Sequence, residues 1–152
     1  VAERIMKKKM ADIFGYLEER FGLERKLFEH HSFLRTRKGR IFLFSGLHGF
    51  SMKTEVSAGL PFARISRSNV IKPSTAAIQL FGSQATRGVV SLSREQAAAF
   101  ASGADIALEH AKATDGYVIV RYKQFSLGCG HLSEGVVKNM LPKGKRMRVE
   151  LI

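Results

Sequence analysis

The sequence predicts an α+β fold, with an N-terminal α+β domain over residues 1–71 and a small C-terminal β-barrel over residues 72–152. Three observations predict it. An amphipathic helical pattern opens the chain, short strand patterns with turn signals follow, and one Ala-rich helical stretch interrupts the strands of the second half. A length of 152 residues suits one ordinary domain or two small ones sharing a core, and a hydrophobic content of 45% is enough to bury one.

Residues 2–20 carry Ile5, Ile13, Phe14, Leu17 and, just beyond, Phe21 at helical spacing. Gly22 is the stop signal, and residues 24–29 read as a short second helix. Residues 33–37 and 40–44 read as two strands joined by Lys38-Gly39, a hairpin link. Residues 47–53 fit no single element. Residues 60–65 read as a strand with Pro61 near its start. Lys72-Pro73-Ser74-Thr75 is a break, after which residues 75–81 read as a short helix ended by Gly82.

The second half begins with a strand at 88–92. Ser93-Arg94-Glu95-Gln96 is a capping box, which starts a helix through Ala97 and Phe100 that ends near Gly103. Residues 105–108 read as a strand and 109–114 as turns. Residues 116–122 alternate as a half-buried strand would, and the Gly-rich 127–130 reads as the next.

Charge points to the partner. The net charge is +12, from 25 Lys plus Arg against 13 Asp plus Glu. From His30 to Arg94 the cations are Arg35, Arg37, Lys38, Arg40, Lys53, Arg64, Arg67, Lys72, Arg87 and Arg94, against the single acid Glu55. The tail adds Lys138, Lys143, Lys145, Arg146 and Arg148 with no acid among them. This asymmetry favours a polyanion, and nucleic acid above a membrane surface, because no basic amphipathic helix with exposed aromatics stands apart. Apolar runs fall short of the roughly 20 residues of a membrane span, and no signal peptide is recognisable. A lone cysteine, Cys129, leaves no internal disulfide and no cysteine-built zinc site, which fits a reducing, cytoplasmic setting.

Two stretches carry a family resemblance. RGVVSLSREQAAAFASGADI resembles the opening of PUA domains, the small RNA-binding β-barrels appended to RNA-modifying enzymes and ribosome-assembly factors. DGYVIVRYKQFSLGCGHLSEGVVKNMLPKGKRMR resembles the PUA-like tails of rRNA cytosine-5 methyltransferases. Upstream, GLPFARIS and KPSTAAIQLFGSQ are similar to the junction between a pre-PUA and a PUA domain in small ribosome-assembly factors. EERFGLERKLFEHHSFLRTRKGRIFLFS resembles the front of stand-alone archaeal PUA proteins. The resemblance implies that the turn at Gly103-Ala104 lies beside the RNA backbone, where a residue without a Cβ lets the chain approach a phosphate. It implies RNA binding only. The chain has no Gly-rich loop for S-adenosylmethionine and no Pro-Cys nucleophile motif.

Other residues invite chemistry and have plainer explanations. Cys129, flanked by glycines and by no cation, reads as a small core residue rather than a nucleophile. The histidines at 30, 31, 48, 110 and 131 match no zinc spacing. Asp105, Glu109 and Asp115 form no catalytic pattern. Tyr117, Tyr122 and Phe125 could stack on bases, but at least two of them are expected in the core.

The expectation is therefore a non-enzymatic protein without cofactor or metal. It would bind structured rRNA or tRNA, in ribosome assembly or in RNA modification beside a separate enzyme. The expected RNA-binding residues are Arg64, Lys72, Arg87, Gly103, Ala104, Lys138, Lys143, Lys145, Arg146 and Arg148. The alternative is a protein-interaction subunit that docks a methyltransferase or an assembly factor.

Overall fold

A computed structural model describes the backbone of residues 2–45 and 59–148, with side chains for residues 10–44 and 59–148. Residues 47–53 and His48 lie outside them. Helix α1 (Ala2–Phe21) buries Met10, Ile13, Leu17 and Phe21 along one stripe. Gly22 stops it with φ +68°, donating its N–H to Glu18 O at 2.8 Å. The second expected helix is a single 3₁₀ turn, Arg25–Phe28.

Strands β1 (His31–Arg35), β2 (Arg40–Ser45), β3 (Leu60–Ile65) and β4 (Ile71–Pro73) form an antiparallel meander in that order. The first strand sits two residues earlier than its pattern suggested. Its hairpin turn closes over Thr36 to Gly39, where Thr36 N–H donates to Arg40 O at 2.9 Å and Gly39 N–H to Thr36 O at 3.0 Å. The stretch Lys72-Pro73-Ser74-Thr75, expected as a break, carries the end of the edge strand β4 and the cap of the next helix. There the missing N–H of Pro73 costs no ladder bond.

Helix α2 (Thr75–Phe81) starts at Ser74, whose Oγ accepts from Ala77 N–H at 2.9 Å. It packs on β3 and on the second sheet. That sheet comprises β5 (Val89–Ser91), β6 (Ile106–Ala107), β7 (Gly116–Tyr122), β8 (Phe125–Ser133) and β9 (Val136–Asn139), in the order β5-β7-β8-β9-β6. Only the β5–β7 pair is parallel. The sheet curls into a half-barrel whose edges, β5 and β6, do not pair among the described residues. Helix α3 (Arg94–Ala101) starts from the capping box, with Gln96 N–H on Ser93 Oγ and Ser93 N–H on Gln96 Oε1.

Two cores hold these parts. The first joins α1, the meander and α2 around edge-to-face rings, with Phe28 4.9 Å from Phe81 and Phe33 4.9 Å from Phe62. The second lies inside the half-barrel, under α3. β7 serves both: Val118 and Val120 point into the second core and Ile119 into the first. A strand read as half-buried is thus covered on both faces, which its unbroken Val-Ile-Val run permits. Cys129, opposite Ile119, also belongs to the first core. Two arginines tie α1 to the half-barrel. Arg20 donates to Tyr117 O, Thr114 O and Thr114 Oγ1 at 2.6 to 2.8 Å. Arg87 donates to the α1 carbonyls of Glu18 and Glu19, each at 2.6 Å.

Candidate nucleic-acid interface

The turn after α3 and the basic tail lie against each other. Gly103 has φ +108° and donates to Phe100 O at 3.0 Å. An ideal Cβ placed on it would stand 2.9 Å from Arg146 Cδ and 3.2 Å from Arg146 Nε, so the arginine stem covers the bare glycine. Arg146 Nε donates to Leu141 O at 3.2 Å, and Met147 N–H donates to Ala101 O at 2.8 Å. The tail is therefore fastened to the end of α3 while its charges stay in solvent. Lys143 and Lys145 stand exposed on the 3₁₀ turn Lys143–Lys145, and Lys138, Arg148 and Ala104 are exposed too.

Asn139 makes this arrangement rigid, and sequence reasoning did not single it out. It is 7% exposed. Its Nδ2 donates to Phe100 O at 2.7 Å and to Ala104 O at 2.9 Å, and its Oδ1 accepts from Leu141 N–H at 2.9 Å. Its own N–H donates to Asp105 Oδ1 at 2.8 Å. A single buried amide thus joins β9, the Gly103-Ala104 turn and the root of the tail. Its only sequence signal is a polar residue at an inward position of a short strand.

A second cationic group comes from the meander. The registers place Arg40 opposite Arg64 and Arg64 opposite Lys72, so three cations stand in a row across β2, β3 and β4. None of the three is ion-paired among the described residues. Arg64 and Lys72 were expected at the interface. Arg40 joins them because a bulge between Ile41 and Phe42 sets the register, and charge counting could not supply that. Arg87, also expected to contact RNA, turns its guanidinium to the end of α1.

The remaining candidates settle into the fold. Burial pushes the Cys129 thiol up to about 12, against the opposing charge of Lys72, so at neutral pH it is protonated and a poor nucleophile. His131 lies edge-on to Tyr117 at 4.9 Å and His31 edge-on to Phe81 at 5.8 Å. His30 does not lie on a helix but in the turn before β1, and it is exposed like His110. No metal-binding cluster of His, Cys, Asp or Glu occurs among the described residues. Asp105 is engaged at Asn139, and Asp115 accepts from Glu134 N–H at 3.5 Å. Tyr117 packs on the first core and Tyr122 on the second, while Phe125 is 57% exposed.

Residues 87–147 match the family model described as the PUA domain of the methyltransferase RsmF. The match supports a PUA-like domain, a type that points to RNA binding. It runs from the Arg87 anchor through β5, α3 and the half-barrel to Met147, and so takes in both Gly103 and the tail. No curated protein matches the chain.

Proposed function

We propose that this chain is a non-enzymatic, cytoplasmic RNA-binding protein. It grips structured rRNA or tRNA by the phosphates, in ribosome assembly or in presenting RNA to a separate modification enzyme. A pre-PUA-like unit would precede the PUA-like one. The observation that carries the reading is the fastening of an acid-free basic tail onto the Gly103-Ala104 turn within a PUA-like domain. Exposed cations on a rigid mount suit phosphates, which position a partner without reading its sequence. Arg40, Arg64 and Lys72 extend the cationic surface.

The test is affinity of the full chain for a structured RNA and for a DNA duplex of equal length, across a salt series. The expected result is tighter binding to RNA, with a log–log salt slope of several units. Folded protein that binds neither at low salt would refute the proposal. A protein partner retained on the chain after nuclease treatment, with no RNA affinity, would point to the docking role instead.

A further inference from the structure

The row Arg40, Arg64 and Lys72 does not face open solvent alone. It borders a cavity of about 310 Å³, whose far side is built by Met140 and Pro142, the residues that lead into Lys143. The cavity is cationic at these three residues, and no carboxylate lines it among the described residues. Most of the remaining lining is apolar. Phe42 is half-buried there, outside both cores, and its cross-strand partner Pro61 is exposed. Thr75 also lines it, 4% exposed, with its hydroxyl closed off from the cavity.

Each feature is costly to the free protein. Like charges directly opposite on adjacent strands repel. A ring outside any core is exposed apolar area. A ligand with an anionic group and a flat apolar face would relieve both. That is the chemistry of one nucleotide: phosphate at the cations and base against Phe42. The volume lies at the small end of ligand sites, too small for a length of helix. The wall at Pro142 runs directly into the basic tail, so a strand held at the tail leads to this opening.

We infer that the cavity between the meander and Met140-Pro142 receives a single unpaired nucleotide from the RNA gripped by the tail. The inference rests on the RNA-binding reading and adds to it a place where bases are discriminated.

The experiment uses the full ¹⁵N-labelled chain. It is titrated with an RNA hairpin carrying an unpaired loop, with a blunt RNA duplex, and with the four nucleoside 5′-monophosphates. The hairpin should shift the amides of Ala63, Thr75 and Met140 together with those of Lys143 and Lys145. The duplex should shift the tail and leave the cavity alone. Phe42→Ala removes the ring, which lies outside both cores, and leaves the three cations in place. It should stay folded, lose about fivefold or more in hairpin affinity, the worth of one stacked base, and keep its duplex affinity. Hairpin binding that moves the tail but not the cavity, or a folded Phe42→Ala with unchanged hairpin affinity, overturns the cavity and leaves RNA binding standing. Monophosphates that shift the cavity while no RNA binds overturn both, and mark a site for free nucleotides.

Discussion

Arg146 lies across Gly103, with its Cδ 2.9 Å from where a Cβ would stand. The contact links the one residue of the turn that must lack a side chain to the middle of the basic tail. Gly103→Ala should act in two ways. At φ +108° an alanine is strained by about 1–2 kcal/mol, and its methyl pushes Arg146 off the turn. The second effect vanishes if Arg146 is already alanine. Urea unfolding of both single variants and the double should give a coupling of about 0.5 kcal/mol or more, with the pair costing less than the sum. Strictly additive costs would mean that the two residues do not share this contact.

Asn139 supports the same corner from beneath. Asn139→Leu keeps the approximate volume but leaves the carbonyl of Ala104 and the N–H of Leu141 without partners, and leaves the carbonyl of Phe100 with the Gly103 N–H alone. The expected loss is on the order of 3 kcal/mol, because stranded buried groups cost more than the net worth of a hydrogen bond. Hydrogen exchange should quicken at Leu141 and Met147 before it quickens in β7. A variant as stable as the parent would remove Asn139 from its role as the joint.

What the sequence made legible was local. The α1 stripe, the Ser93–Gln96 capping box and the strand 116–122 each depend on neighbours within a few residues, and each lies where its pattern put it. β8 runs beyond its Gly-rich centre to Phe125 and Ser133, since its length comes from pairing along all of β7 rather than from composition. β9 is four residues long and was hidden inside the start of the basic run. Its inward Val137 and Asn139 gain meaning only beside β8. At the interface the glycine turn and the tail cations were readable, but their contact was not. It depends on a route from Leu141 back to Ala101 that has no sequence period. The cation row and the cavity were equally hidden, because a bulge fixes the register that makes them.

Burial of Cys129 has a pH signature. The folded thiol holds its proton up to about 12, whereas the unfolded thiol releases it near its ordinary value of 9.0. The folded pKa is raised, so its contribution to stability is intact below about pH 9 and is lost as pH rises toward 12. Tyr16, also pushed up to about 12 by burial, adds to the same loss from pH 10 upward. Cys129→Ala should cost on the order of 1 kcal/mol at neutral pH and leave RNA affinity unchanged. Its stability should fall less steeply above pH 9 than the parent's. A thiol reagent at pH 8 should label the chain only after denaturation, and rapid labelling of native protein would contradict the burial.

The tail and the cation row can be separated by salt. The Lys143 and Lys145 side chains are exposed and make no hydrogen bond or ion pair among the described residues, so changing both to alanine should leave unfolding unaffected. If each holds a phosphate, the slope of log affinity against log salt should flatten by about 1.5 units, at ~0.7–0.9 per contact. Affinity should fall alike for hairpin and duplex, because phosphate contacts carry no sequence information. Adding Arg146→Ala removes one further contact, but also the bond to Leu141 O and the cover on Gly103, so this variant alone should also lose stability. Arg64→Ala is the contrasting case. It takes the middle charge from the row and should leave stability equal or slightly raised, since its neighbours Arg40 and Lys72 no longer face a like charge. Its slope should flatten by about 0.8 units, with the greater loss on the hairpin, the RNA that reaches past the tail. A folded Lys143/Lys145 variant with the parent's slope, beside an Arg64 variant that loses binding to both RNAs, would move the primary grip from the tail to the meander.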